Sequence, residues 1–205
     1  MLNKLTDAEL TELIVGAKVL EGDSFGPKVY RLSNGHILKL FRRKRFFSSA
    51  LLQPYSVRFL DNAKRLHKLG IPTLTPLNSF ELQAPGMTAV LYQPLPGETL
   101  KEIYLEAPER LRDHLPKLIA FIRRLHRQGI YFRSLHLGNI VLTPNQELGL
   151  IDIADLSIQR RALSKAKKKR NLAHFERLLK TLENARDFPF EELSAAVLSD
   201  HPASN

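Results

Sequence analysis

The sequence contains no cysteine, which excludes a disulfide framework and any thiolate metal site and leaves folding to the apolar core alone. No run approaches 18 consecutive apolar residues, so no membrane-spanning helix is expected. The opening segment, MLNKLTDAELTELIVGAKVLEG, lacks the basic start and unbroken apolar stretch of a signal peptide, and a soluble cytoplasmic protein is the plain expectation. Internal repeats and low-complexity segments are absent. Few aromatics are interleaved with the basic runs and no RNA-binding motif is recognisable. The stacking platform of a single-strand RNA reader is therefore missing, and nucleic acid is not the expected partner.

What is present suffices for a sizeable core: 205 residues, 43% of them hydrophobic, can fold as one domain or two small lobes. Lysine and arginine number 31 against 21 acidic residues, a formal charge of +10. Much of that charge sits in two clusters, RRKR at Arg42 to Arg45 and KAKKKR at Lys165 to Arg170. An anionic partner is expected, among nucleotide phosphates, a phosphorylated lipid head group, an anionic membrane surface or nucleic acid. Charge alone does not rank them, and a charge run is as readily a solvated helix face.

Thr6-Asp7-Ala8-Glu9 has the pattern of a capping box, which predicts a short helix to about Val15. AKVLE, KVYRL and HILKLF follow, separated by the turn segments GDSFGP and SNG, and read as three successive antiparallel strands. Residues 55 to 69 place Val57, Leu60, Ala63, Leu66 and Leu69 at helical spacing, and Gly70 and Pro72 end that helix. TLTPLNSFEL and MTAVLYQ read as two further strands. The Pro/Gly-rich PLPGE then marks a hinge near Tyr92 to Gly97. The expected fold class is α+β and bilobal: residues 1–94 carry a five-stranded antiparallel sheet with one inserted helix, and residues 95–205 form a compact, mainly helical lobe. In that second lobe, residues 111 to 127 align Leu115, Leu118, Ile119, Ile122 and Leu125 on one face. NIVL and LGLI form a hairpin around TPNQE, Leu172 to Leu182 make a further apolar stripe, and a short helix lies near Glu191 to Leu198.

Phosphoryl transfer needs a cation on the phosphates, oxygen ligands for magnesium and a group that orients the nucleophile. FRSLHLGN and LIDIA occupy the places of a kinase catalytic loop and of the metal-binding aspartate after the next apolar strand. On these residues, with LHRQGIYFRSLHLGNIVL, GLIDIADL, VLYQPLPGETL and NAKRLHKLGIPTLTPL in the right order and spacing, the chain resembles the protein-kinase-like superfamily. Within it, the likeness is to the short bacterial lipopolysaccharide core kinases and their toluene-tolerance-protein relatives. The resemblance covers most of residues 17 to 182. It implies ATP and Mg²⁺ as cofactors, Asn139 and Asp152 as magnesium ligands, and Lys39 in HILKLF as the cation on the α- and β-phosphates. It also places Gly22 and Gly26 in the phosphate loop, Asn62 opposite Lys39, Tyr92 and Pro94 at the hinge beside the nucleotide, and Arg133, Ser134 and His136 in the catalytic loop.

Three positions depart from the kinase pattern. The H-R-D triplet appears as Phe132-Arg133-Ser134, and a serine hydroxyl is too weak a base to take a substrate proton at neutral pH. Asn62 stands where a glutamate is expected, with Asp61 turned about 100° away around the helix. The glycine loop is reduced to Gly22-Asp23-Ser24-Phe25-Gly26. His136 is the one nearby alternative base.

The leading expectation is an ATP-dependent phosphotransferase with a degenerate catalytic loop, acting on a sugar hydroxyl such as that of a lipopolysaccharide core precursor at the inner membrane. An anionic glycolipid or sugar acceptor and a peripheral membrane contact go with it. A pseudokinase that binds nucleotide or a partner is the alternative, and a small kinase-like ATPase associated with nucleic acid is the third.

Overall fold

The computed structural model describes residues 3–42, 54–182 and 187–199. The chain divides into two compact units, residues 1–68 with 73–95 and residues 69–72 with 96–205. The first unit begins with β1 (Asn3–Leu5) and α1 (Asp7–Leu13). Thr6 caps α1 through the predicted box: its side chain accepts from the Glu9 amide while the Glu9 carboxylate accepts from the Thr6 amide. There follow β2 (Lys18–Asp23), β3 (Gly26–Arg31), β4 (Ile37–Arg42), α2 (Tyr55–Lys68), β5 (Thr75–Leu82) and β6 (Met87–Gln93). They form one sheet in the order β1-β5-β6-β4-β3-β2.

Among the described residues that sheet has six strands where five were expected, and it is not wholly antiparallel, because β1 lies parallel to β5 with Asn3 opposite Phe80. Three residues ahead of a helix cap are too few to show an alternating pattern. They hold the edge through backbone pairing and an Asn3–Asn78 side-chain hydrogen bond of 2.9 Å.

The central strand β4 is buried on both faces. One face carries Leu38 and Leu40, which cluster with Leu32, Phe80, Leu82 and Ala89, and Leu10 and Leu13 of α1 pack against them. The period of two turns Ile37, Lys39 and Phe41 to the other face. There Phe59 of α2 meets Phe41 and Tyr92, with ring centroids 5.4 Å apart in each pair. The buried line of α2 is Phe59, Asn62, Ala63 and Leu66. Val57 and Leu60, expected on that line, are only half-buried. The fully buried Phe59 ring, packed between two aromatics, sets the helix rotation.

The second unit contains β7 (Glu98–Thr99), α3 (Leu100–Glu106), α4 (Pro108–Asp113), α5 (Leu115–Arg127), β8 (Ile130–Phe132), β9 (Ile140–Leu142), β10 (Leu148–Leu150), β11 (Leu156–Ile158), α6 (Lys165–Leu179) and α7 (Phe190–Leu198). The helix expected over 111 to 127 is two helices. The break falls at His114, just before Pro116, which sits in the first turn of α5 where its missing N–H costs nothing. Leu118, Ile122 and Leu125 are then fully buried, as the spacing requires. α6 begins at Lys165, earlier than its apolar stripe, so the KAKKKR cluster is the first part of a helix capped by Ser164. In the first unit Arg42 is not a free surface charge: it is paired to Asp23 at 2.6 Å. The rest of the RRKR cluster, residues 43–45, lies outside the described residues.

Candidate active site

Two short ladders assemble the site in the second unit. β9 and β10 pair with Leu150 opposite Ile140, and the ladder extends one step through the Ile151 amide bonded to the Asn139 carbonyl at 3.1 Å. That step sets Asn139 at the start of one strand beside Asp152 just past the end of the other. Asn139 is buried, and its amide nitrogen donates to the Ser134 carbonyl at 2.9 Å. The amide plane is thereby fixed with Oδ1 as the atom left for a cation. Asp152 is exposed and holds a left-handed backbone conformation, φ 51° and ψ 46°. Such a conformation costs a non-glycine residue about 1 kcal/mol or more and is concentrated at functional sites.

An amide oxygen and a carboxylate fit magnesium, which prefers oxygen and takes one or two protein ligands, with phosphates and water completing the octahedron. Among the described residues no group of three His, Asp or Glu side chains is placed to enclose a metal by itself. Two protein oxygens suit a cation that arrives with a phosphate-bearing ligand.

The second ladder is β8 with β11, in which Leu156 faces Phe132 and Ser157 faces Tyr131. Continued one residue, this register sets Asp155 beside the segment that leaves Phe132. Ser134 Oγ donates to Asp155 Oδ2 at 2.6 Å, and Arg133 Nε lies 4.0 Å from the same oxygen. The loop thus has a carboxylate after all, supplied by a residue that the loop motif does not contain. Asp155 is the carboxylate at this loop that the sequence reading did not single out. The signal was there as a second aspartate three residues beyond Asp152, one 3-10 turn on, but its meaning depends on the pairing of β8 with β11.

The loop is anchored from below by a buried relay of polar groups. Asn171 of α6 donates to the Phe132 carbonyl at 2.6 Å, and its own Oδ1 lies 2.9 Å from His126 Nε2 of α5. His126 and Asn171 are almost completely buried. Burial pushes the His126 pKa down, with the Asn171 hydrogen bond opposing that and the Lys168 charge adding to it. The folded state therefore holds His126 neutral where the unfolded chain takes up a proton. Its contribution to stability is complete above the ordinary imidazole value of about 6.5 and is lost as pH falls below it. Thermal melts from pH 7.5 to 5 should show Tm declining from about pH 6.5 downward. A His126→Gln chain should show a shallower decline over the same window, and an equally steep one would contradict this assignment.

His136, the expected alternative base, accepts a hydrogen bond from the Gly138 amide at Nδ1, 3.1 Å. That ring nitrogen is committed to shaping the loop. Burial lowers its pKa, the Asp152 and Asp155 charges raise it, and Lys101 lowers it. His136 and Lys101 line a small cavity of about 110 Å³ with Gly138 and Phe175. Lys101, on α3, thus adds a cation to the loop that the motif did not announce. A larger cavity, about 550 Å³, lies between Tyr104, Arg112 and Phe188 and holds none of the loop residues. Chemistry, not volume, marks the site in this unit.

The remaining candidates lie in the first unit. Lys39 is buried on β4, its ammonium 5.9 Å from the ring centroids of Phe41 and Phe59. Asn62 is buried on α2, whereas Asp61 is exposed. Gly22 and Gly26 belong to a tight hairpin in which Asp23 pairs with Gly26, leaving Ser24 and Phe25 as the turn. The Phe25 amide donates to the Asp23 carboxylate at 2.9 Å, and Arg42 bonds Asp23 and the Phe25 carbonyl. The Phe25 amide bond, ahead of the Arg42 charge, holds the Asp23 pKa below the ordinary carboxylate value. This turn spends a backbone donor internally. Tyr92 is at the end of β6 and half-buried against Phe59, and Pro94 is half-buried beyond it.

A family description, "Lipopolysaccharide kinase (Kdo/WaaP) family", matches residues 19–195. No curated protein matches the chain.

Proposed function

The chain belongs to the lipopolysaccharide kinase (Kdo/WaaP) family, and from that membership we propose that it is an ATP-dependent phosphotransferase acting on a sugar hydroxyl of lipopolysaccharide. The observation that carries this reading is the Asn139–Asp152 pair, held side by side by the β9–β10 ladder with the Asn139 amide oriented by the Ser134 carbonyl. Asn139 Oδ1 and the Asp152 carboxylate would hold a magnesium ion, which would neutralise charge on the phosphates and ease the release of ADP. Lys39, desolvated beneath α2, is the cation assigned to the α- and β-phosphates, and Tyr92 and Pro94 are assigned to the nucleotide. Gly22 and Gly26 give the hairpin its tight turn, with Gly26 at φ +108°. The phosphate-cradling role of that hairpin is the weakened one, since its Phe25 amide is already bonded.

The acceptor class draws support from α6. Its exposed Lys165, Lys167, Lys169 and Arg170 crowd a helix start that has no acidic residue in its first turn. Cations there oppose the helix dipole. A bound phosphorylated glycolipid offsets that repulsion. Among the described residues no helix is long and apolar enough to cross a membrane. The cationic surface of α6 is the proposed peripheral contact with an anionic membrane.

A second reading, a pseudokinase that binds nucleotide without turning it over, is favoured by Ser134 and Asn62 standing where a carboxylate is expected. The two readings part on one experiment, the magnesium-dependent transfer of labelled γ-phosphate from ATP to lipopolysaccharide.

A further inference from the structure

We propose that Ser134 and Asp155 act together as a proton relay that replaces the missing loop aspartate, an inference that rests on the phosphotransferase reading above. The 2.6 Å separation of Ser134 Oγ from Asp155 Oδ2 is the length of a hydrogen bond from a hydroxyl to a charged carboxylate. Serine alone is too weak a base, but a serine whose own proton has a carboxylate to go to can accept one from a substrate. The Asp155 carboxylate is not consumed by structural bonding. Its Oδ1 is buried with no hydrogen-bond partner among the described residues, and Arg133 approaches only to 4.0 Å with its own side chain largely exposed.

Position supports the relay as well as chemistry. The Ser134 carbonyl fixes the Asn139 amide, so the residue that presents the hydroxyl also orients the candidate metal ligand. Asp155 lies one 3-10 turn after Asp152. The two carboxylates of the IDIAD segment are thereby divided, one exposed for a cation and one turned to the loop.

In the step, an acceptor hydroxyl oxygen forms a bond to the γ-phosphorus while the bond from that phosphorus to the β,γ-bridging oxygen breaks. The electron pair of the broken bond leaves with ADP. The acceptor proton passes to Ser134 Oγ as the Ser134 proton passes to Asp155 Oδ2. The products are a phosphate monoester, ADP and a protonated Asp155, which returns its proton to water.

The test measures γ-phosphate transfer from ATP to lipopolysaccharide, together with the thermal shift given by ATP and magnesium, in Asp155→Asn, Ser134→Ala, the double variant, and Ser134→Asp in the Asp155→Asn background. Asparagine keeps an oxygen that can accept from Ser134, so the loop brace survives while the proton acceptor is lost. Each single variant should lose on the order of 10²- to 10⁴-fold in kcat with the ATP KM little changed. The double variant should lose no more than either, because both act in one chain of transfers. Ser134→Asp should restore transfer to the Asp155→Asn chain, a rescue that a merely structural brace does not give. Wild-type transfer in Asp155→Asn, multiplying losses in the double variant, or no rescue overturns the relay. A wild-type chain that is stabilised by magnesium and ATP but transfers nothing overturns the phosphotransferase reading and the relay with it, and leaves nucleotide binding standing. A wild-type chain with no such thermal shift overturns the phosphotransferase reading itself.

Discussion

An Asp152→Ala chain is expected to transfer phosphate on the order of 10²- to 10³-fold more slowly than the wild type, the cost of removing one preorganised group that acts on transition-state charge. The same substitution should remove the magnesium-dependent part of nucleotide binding. A ligand at 100 times its Kd stabilises a protein by about 2.7 kcal/mol, roughly 5–10 °C in Tm for a chain of this size. In the variant, ATP should give the same small shift with or without magnesium. Alanine is a poor occupant of the left-handed conformation at this position, so part of any loss is backbone strain. Asp152→Asn separates the two effects. Asparagine tolerates that conformation but carries no charge, and it should fold as well as the wild type while still losing most of the transfer. Unimpaired turnover in Asp152→Asn would show that the carboxylate does not hold the cation.

Gly97→Ala should be the most destabilising single-methyl change in the second unit. Gly97 has φ +130°, and an added Cβ there falls on the Leu142 carbonyl oxygen and within 2.9 Å of Val141 Cγ1. The clash is with the backbone of β9, which β7 pairs through Glu98–Leu142 and Thr99–Val141. No side-chain rotation relieves it. β9 must move, and β9 begins directly after Asn139, so the displacement reaches a proposed magnesium ligand. We expect a loss of about 3 kcal/mol, or roughly 6–12 °C in Tm, with a fall in magnesium-dependent nucleotide binding. Gly16 is the internal control: φ is +69° and nothing lies within 4 Å of an added Cβ. Gly16→Ala should cost only the backbone term, about 1 kcal/mol. Equal effects at the two positions would show that the crossing of Gly97 over β9 is not tight.

The parts of this molecule written in local patterns were legible in its sequence. The Thr6 capping box, the turns between the first strands, the helix ending before Gly70 and the β9–β10 hairpin each depend on residues close together in the chain. What escaped depends on pairing between distant segments. β1 is three residues long and exists because β5 offers it an edge. The rotation of α2 is set by Phe59 packing between Phe41 and Tyr92, which a count of aliphatic spacing does not register. Asp155 has no place of its own in the loop motif. Only the β8–β11 register, with Leu156 opposite Phe132, brings its carboxylate to Ser134. Ser134 was visible in the motif, whereas the carboxylate that faces it was visible only in the fold.

The most direct measurement is the incorporation of label from γ-labelled ATP into lipopolysaccharide by the purified chain, with magnesium and with a chelator in its place. The phosphotransferase account predicts steady, magnesium-dependent incorporation that Asp152→Asn and Asp155→Asn each reduce by on the order of 10²-fold or more. Firm magnesium-dependent ATP binding with no label in lipopolysaccharide would contradict it, and would identify this member of the family as a binding protein.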